Sequence, residues 1–244
     1  KAKQLSTEMG TLRNSITKHK TMRVLVIPDT HCPAMHPRFI RFLKDTDRKY
    51  NCNKYVGIGD LVDWNAISFH EKDPSMPNAS QEFMLARKQV KKLYQAFPKV
   101  DYLMGNHSDL VGRKARLVGL PQEVLIPYKE LWGLDGWTIH DRYEDIKIDG
   151  VIYRHGDKGK GGQRLAALAN AQAEHCSLVQ GHLHAQFGVE FAANHDRVIW
   201  GMQVGCGVMP NHPSMKYSRV FSRRPILGCG VVIDGEPILE RMKL

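Results

Sequence analysis

The sequence lacks the features that mark membrane, secreted and repeat proteins. No apolar run in its 244 residues approaches the roughly 20 that a helix needs to cross a bilayer. No stretch resembles a signal peptide, an internal repeat or a low-complexity tract. The cysteines are few, scattered and odd in number: Cys32, Cys52, Cys176, Cys206 and Cys229. Such a pattern is typical of free thiols, so we expect a cytoplasmic protein without a disulfide framework or a membrane contact.

The chain has instead a sizeable apolar fraction and an excess of positive charge. Hydrophobic residues make up 42% of it and charged residues 25%, which is enough for one large domain. The formal net charge of +10 at pH 7 favours anionic partners, nucleic acid first, although a solvated basic surface explains it as well. We predict a basic N-terminal arm or linker over residues 1–22 and one domain over residues 23–244.

Short apolar runs alternate with helical patterns through the first two-thirds of the chain. The predicted strands are 24–27, 55–58, 100–104, 151–154 and 177–180, followed by four C-terminal strands. The predicted helices include 37–47, 80–97 with Ser80 as its N-cap, 122–132, and an alanine-rich helix ending near 175. This alternation predicts an α/β fold of βαβ units around a largely parallel sheet.

The first chemical signal follows the first of these strands. The run Val24–Ile27 ends at Pro28 and is followed by Asp29 and His31. A carboxylate oxygen beside an imidazole nitrogen suits zinc or a divalent transition metal. Alone this signal is weak, because a polar turn commonly follows a strand.

The signal becomes specific because polar motifs recur at the ends of four later strands. They contain Asp60 and Asp63, then Asn106 and His107, then His155, and finally His182 and His184. Ligands of α/β sheets bind beyond the carboxyl ends of the strands, so we expect five loops to converge on one rim. Taken singly, His155 could be an ordinary core histidine and Asn106 an ordinary turn residue.

The candidate metal ligands offer carboxylate, imidazole and amide groups but no thiolate. They are Asp29, His31, Asp60, Asn106, His155, His182 and His184. This mixture favours a hydrolytic site for two divalent ions, manganese first with iron, zinc or nickel as alternatives, over a structural zinc site. Asp60 is the natural bridge, which would hold the ions roughly 3.5–4 Å apart.

The ordered motifs Asp-x-His, Gly-Asp-x-x-Asp, Gly-Asn-His, His-Gly-Asp and Gly-His-x-His resemble those of the calcineurin-like metallophosphoesterases, bacterial or phage members in particular. The resemblance covers about residues 23–184 and implies a two-sheet βαβ sandwich flanked by helices. It implies a first ion held by Asp29, His31, Asp60 and His184, and a second held by Asp60, Asn106, His155 and His182. It also implies that His107 faces the substrate and assists the leaving oxygen, while Asp63 orients a ligand histidine or a water.

Two positions depart from the family pattern. Ser108 stands where the family usually has an acid. The acid that orients His107 is therefore either Asp109, one residue later, or absent. Asp157 replaces a second histidine and is expected to be a turn or supporting residue.

The expected reaction is hydrolysis of a phosphate ester by a metal-activated hydroxide. A glycine-rich basic loop over 158–164 precedes a helix and could bind a second phosphate through Lys158, Lys160 and Arg164, or be only a flexible turn. Further basic residues near the rim include Arg113, Lys114, Arg116 and Arg154. Together they favour a phosphodiesterase or nuclease acting on nucleic acid or nucleotides; no protein partner is indicated.

Two other functions compete with this hypothesis. A phosphomonoesterase, such as a protein Ser/Thr phosphatase, uses the same metal chemistry, but the arginines typical of that branch are replaced at Leu61 and after His107. A non-catalytic binding scaffold could keep the fold. We disfavour the scaffold because every predicted ligand position carries a competent residue.

Overall fold

Strand β1 (Arg23–Ile27) contributes side chains to two different apolar cores. Leu25 and Ile27 lie in one core, and Val24 and Val26 lie in the other. Successive side chains of a strand point to opposite faces of the sheet, so an unbroken apolar run requires cover on both faces. The computed structural model describes residues 21–69, 73–159, 165–214 and 224–244, and in it helices cover one face and a second sheet the other.

The first sheet has six strands in the order β11-β10-β1-β2-β3-β4. Its other strands are β2 (Lys54–Gly57), β3 (Asp101–Leu103), β4 (Thr138–His140), β10 (Gly228–Ile233) and β11 (Glu236–Arg241). Strands β1 to β4 run parallel, whereas β10 pairs antiparallel with β1 and β11 antiparallel with β10. The C-terminal hairpin thus extends the sheet that begins the chain.

The second sheet has five strands in the order β5-β6-β7-β9-β8. They are β5 (Ile146–Ile148), β6 (Val151–Arg154), β7 (Leu178–Gln180), β8 (Phe187–Ala193) and β9 (Val198–Val204). Strands β6, β7 and β9 are parallel, and the edge strands β5 and β8 are antiparallel to their neighbours. The predicted α/β two-sheet fold is confirmed. Both sheets are mixed, and each predicted motif follows one of their parallel strands.

Within the described ranges, five α-helices pack outside the sheets. They are α1 (Phe39–Tyr50), α2 (Ala79–Ala96), α3 (Leu110–Leu117), α4 (Tyr128–Trp132) and α5 (Ala166–Ala173). Phe39 of α1, Val90 of α2 and Trp132 of α4 fill the outer core of the first sheet. Helix α5 packs on β9 of the second sheet.

Two predicted helix boundaries are wrong. The expected helix 122–132 is a 3-10 turn (Gln122–Val124) followed by α4, because Pro127 has no N–H to donate and disfavours a helical conformation at Ile126. The N-cap of α2 is Asn78 rather than Ser80. The Asn78 side chain accepts from Gln81 N, and the Gln81 side chain accepts from Asn78 N, forming a capping box.

The N-terminal arm remains a prediction, because residues 1–20 lie outside the described part of the chain. The described chain is fixed from Met22 onwards, where the backbone N–H donates to Asp234 Oδ1 at 2.8 Å. None of the helices in the described ranges is long and apolar enough to cross a membrane.

Candidate metal centre

The five polar motifs follow β1, β2, β3, β6 and β7 and meet at one rim of the two sheets. His184 Nε2 lies 3.2 Å from Asp29 Oδ2, although the two residues are 155 positions apart. His155 Nε2 lies 3.3 Å from Asp60 Oδ2, which joins the two sheets across the rim. Loops from distant parts of the chain therefore build a single site.

Three groups of side chains among the described residues have the composition of metal sites. Two of them consist of predicted ligands, and the third is His31, Asp63 and His107. Asp29, His31 and His184 place ligand atoms within 4.8 Å of one another, and so do Asp60, His155 and His182. Asp60 also links the groups, since its Oδ2 lies 3.7 Å from His31 Nε2 as well as 3.3 Å from His155 Nε2. The arrangement is consistent with two adjacent ions that share the Asp60 carboxylate.

One buried atom of Asp29 and one of His31 have no hydrogen-bond partner in the part of the chain that the structure describes. They are Asp29 Oδ1 and His31 Nε2, both in side chains that are at most 1% exposed. Leaving a buried polar atom unpaired costs about 1–3 kcal/mol, and more for a charged group. A divalent cation would satisfy both atoms at once, so the residues present fit a metal site.

The hydrogen bonds of two histidines leave the correct nitrogen free to bind a metal. His31 Nδ1 donates to Asp63 Oδ1 at 2.9 Å, and His155 Nδ1 donates to the carbonyl oxygen of Ile58 at 2.9 Å. A carbonyl only accepts, so Nδ1 of His155 carries a proton and Nε2 faces the cluster. There, Nε2 lies 3.0 Å from Asn106 Oδ1, close enough for the two atoms to share one proton or to bind one cation.

The charges of the site suit cation binding. Burial opposes ionisation of Asp60, but His155 and His107 outweigh it and hold the pKa of Asp60 well below its usual value. Burial lowers the pKa of His31, and so favours the neutral imidazole that ligates metals. Burial also opposes protonation of His155, but Asp60 and Asp29 raise the pKa of His155 to about 10. The pocket thus attracts a positive charge.

Asp63, rather than Asp109, holds His107. His107 Nδ1 donates to the backbone oxygen of Asp63 at 2.8 Å and lies 3.2 Å from Asp63 Oδ1. Burial lowers the pKa of His107, but Asp60 and Asp63 outweigh it and raise the pKa to about 9. Asp109 instead accepts from Arg116 at 2.6 Å, so the acid beside His107 is neither Asp109 nor absent, the two alternatives that the sequence analysis considered.

Ser108 belongs to a buried polar network behind Asp60. The Tyr102 hydroxyl lies 2.7 Å from Ser108 Oγ, and Tyr128 OH donates to the same oxygen at 3.1 Å. The backbone N–H of Leu61 donates to Tyr102 OH at 2.9 Å, so the network supports the loop that carries Asp60. The sequence signal for it was the serine itself, which stands where the family usually has an acid.

Two other supporting features were missed at the sequence level. Buried amides form a chain in which Asn170 Nδ2 donates to Gln180 Oε1 at 2.8 Å and Gln180 Nε2 donates to Gln203 Oε1 at 3.0 Å. Gln203 then donates to the carbonyl oxygen of Gly181, next to His182.

The second feature is the glycine of the last motif. A Cβ at Gly181 would lie 2.5 Å from Asp29 Oδ1, so the absence of a side chain there permits the close approach of the Asp29 carboxylate.

The predicted phosphate-binding residues are only partly in view. Lys158 Nζ donates to the carbonyl oxygen of Tyr143 at 3.3 Å and lies 3.7 Å from Asp145 Oδ2. Lys160 and Arg164 lie outside the described residues. Their role in binding substrate remains a prediction.

The expected basic rim is smaller than the sequence indicated. Arg154 is 3% exposed and donates to Asp145 and Glu174, so it is an internal ion-pair residue and not a rim cation. Asp157, expected to be a supporting residue, accepts from Arg142 Nε at 2.7 Å. Arg113 does belong to the rim, because its Nη1 donates to the carbonyl oxygen of Asn106 at 3.3 Å.

Comparison with known proteins identifies a family model that matches residues 22–201 and is described as calcineurin-like phosphoesterase. No curated protein sequence matches the chain. Similar solved structures include Vps29 from Entamoeba histolytica (15% identity, TM-score 0.40, covering 91% of this chain and 99% of that one). Another is Yfce, a phosphoesterase from E. coli (14% identity, TM-score 0.43, covering 91% of this chain and 100% of that one). A third is the nuclease MPE from Pseudomonas putida (13% identity, TM-score 0.31, covering 90% of this chain and 86% of that one).

Proposed function

Since this chain belongs to the calcineurin-like phosphoesterase family, we propose that it is a dinuclear metal-dependent phosphodiesterase or nuclease whose substrates are nucleic acids or nucleotides. The family match and the His/Asp groups make it a metal-dependent phosphoesterase. The class of phosphate ester and the residue roles below are the parts that we propose.

The observation that carries the proposal is the position of Asp60 Oδ2 between His31 and His155. The residues that would hold the first ion are Asp29, His31, Asp60 and His184, and those for the second are Asp60, Asn106, His155 and His182. When bound, a pair of divalent ions, manganese first, supplies an acidified water as nucleophile and neutralises charge on phosphoryl oxygens.

The protein's own groups position a proton donor beside this site. Because Nδ1 of His107 is engaged by Asp63, Nε2 is the atom with which His107 can donate a proton to the leaving oxygen. Asp63 fixes the orientation of the His107 ring from both its backbone oxygen and its carboxylate. Burial of Asp63, which is 5% exposed, keeps water from competing for these contacts.

Positive charge at the rim favours a diester in a polyanionic chain over a small monoester. The protein carries a net charge of +10, and Arg113 and Lys114 form no ion pair with any residue that the structure describes. A polyanion gains from each such cation, because every neutralised phosphate releases counterions. A small monoester has one phosphate group, so it can pair with few of these cations.

Hydrolysis of bis-p-nitrophenyl phosphate and p-nitrophenyl phosphate tests the proposal, with protein loaded separately with Mn, Fe, Ni or Zn. We expect diester cleavage to exceed monoester cleavage and to disappear after chelation. A preference for the monoester would identify a phosphomonoesterase instead. Hydrolysis of neither substrate with any of the metals would indicate the binding scaffold.

A further inference from the structure

An exposed aromatic ring lies beside two cations close to the metal centre. Phe69 is 62% exposed, the Lys114 Nζ lies 4.1 Å from the centre of its ring, and the Arg113 Cζ lies 5.6 Å from it. We call Phe69, Arg113 and Lys114 the aromatic platform. Both distances lie within the range of cation–π attraction, so the ring and the two cations form one unit.

The two cations of the platform have no ion-pair partner among the described residues. Both lie on α3 with half-buried side chains, and neither has a carboxylate within ion-pair distance in the described part of the chain. Arg116, two residues farther along the same helix, is instead paired with Asp109. Two adjacent positive charges repel each other, and a bound phosphate would relieve that repulsion.

The platform is connected directly to the metal centre. Arg113 Nη1 donates to the carbonyl oxygen of Asn106 at 3.3 Å, and Asn106 Oδ1 in turn lies 3.0 Å from His155 Nε2. A nucleic acid strand that extends from the metal centre past Asn106 would reach Arg113, whose guanidinium lies beside Phe69. This connection distinguishes Phe69 from an isolated exposed hydrophobic residue.

We propose that the aromatic platform binds single-stranded nucleic acid, with a base stacked on Phe69 and backbone phosphates paired with Arg113 and Lys114. The inference rests on the proposed function and specifies its substrate as an unpaired strand. Stacking requires a base whose face is free, which a duplex does not offer. An apolar protein partner would fit less well, because it would bury two cations without supplying an anion.

Binding of a short fluorescein-labelled oligothymidylate, measured by fluorescence anisotropy in EDTA, tests this proposal without cleavage. We expect Phe69→Ala and Phe69→Leu to weaken binding by about 5- to 100-fold, because both remove stacking, and Phe69→Tyr to bind like the wild type. Phe191→Ala is the matched control. Phe191 is 57% exposed on β8, and no cation–π contact to it occurs among the described residues.

The contribution of charge is measured separately through the salt dependence. Lys114→Gln removes one cation while leaving Arg113 and its contact to Asn106 in place. We expect the slope of log Kd against log salt to fall by about 0.7, the value for one phosphate contact on a single strand. An unchanged slope would show that Lys114 does not contact a phosphate of the bound strand.

The outcomes separate this inference from the proposed function. Wild-type affinity in Phe69→Ala, or equal losses in Phe69→Ala and Phe191→Ala, overturns the platform, and so does full affinity in Phe69→Leu. The wild type and the control Phe191→Ala are also assayed with bis-p-nitrophenyl phosphate. We expect equal turnover in these two proteins, whereas a wild type that cleaves no diester would refute the proposed function itself.

Discussion

The imidazole rings of His31 and His107 meet edge to face, with their centroids 4.6 Å apart. One carboxylate contacts both, since Asp63 Oδ1 lies 2.9 Å from Nδ1 of His31 and 3.2 Å from Nδ1 of His107. His31 is a proposed metal ligand, and His107 is the proposed proton donor. Asp63 therefore couples the orientation of the metal centre to that of the group that acts on the substrate.

Asp63→Asn should weaken both functions at once. The amide keeps the volume of the side chain but cannot supply a charge to two N–H donors. We expect Mn²⁺ affinity to fall by about 10- to 100-fold, the usual cost of losing a hydrogen-bond partner of a ligand histidine. Turnover at saturating Mn²⁺ should fall by about 10²- to 10⁴-fold. Calorimetric titration and diester hydrolysis measure the two effects.

Asp135→Asn provides the control for Asp63→Asn, because Asp135 is an exposed aspartate away from the five motifs. It should bind Mn²⁺ and turn over substrate like the wild type. Wild-type metal affinity in Asp63→Asn would show that the contact to His31 does not support ligation.

His107→Ala should separate catalysis from metal binding. The ring contributes no ligand in the proposed site, so the metal content should stay at the wild-type level. Turnover should fall by about 10²- to 10⁴-fold, because the leaving oxygen loses its proton donor. Elemental analysis and steady-state kinetics on the same sample measure both. A wild-type rate would rule out the catalytic role of His107, and lost metal would make it a ligand.

Asp60→Asn should abolish the stabilisation that the protein gains from metal. The amide can still accept from the backbone N–H of His107, which donates to Asp60 Oδ1 at 2.8 Å, so the loop should keep its conformation. A ligand at 100 times its Kd stabilises by about 2.7 kcal/mol, which raises the Tm of the wild type. We expect no such shift with Mn²⁺ in the variant, and no turnover. A full shift would refute the bridging role of Asp60.

The sequence predicted those parts of the fold that follow from local patterns. The run Val24–Ile27 is apolar throughout because both faces of β1 are covered, and this made the strand and its following motif recognisable. The break in the helix predicted at 122–132 was also encoded, in Pro127, but the helical spacing around it was given more weight. Where local signals compete within one segment, the strongest backbone constraint determines the structure that forms.

The contacts that depend on tertiary structure could not be predicted from the sequence. Arg154 resembles a surface cation, yet it is buried and pairs with Asp145, which precedes β5, and with Glu174, which follows α5. The contact between Asp63 and His107, which the sequence analysis did not predict, depends on how the loop after β2 turns. In that turn, Asp60 (φ 37°) and Trp64 (φ 53°) adopt a left-handed backbone conformation, which the residue pattern does not predict.

Gly181→Ala should disturb the metal centre through Asp29. The added Cβ would lie 2.5 Å from Asp29 Oδ1, so the carboxylate that contacts His184 must shift. We expect weaker Mn²⁺ binding and a loss of about 1–3 kcal/mol in the free energy of unfolding, as for other overpacked sites. Gly188→Ala is the matched control, because nothing lies within 4 Å of the Cβ it would add on β8. Calorimetry and denaturant titration compare the two; equal Mn²⁺ affinity in both variants would show that close approach at Gly181 is not needed.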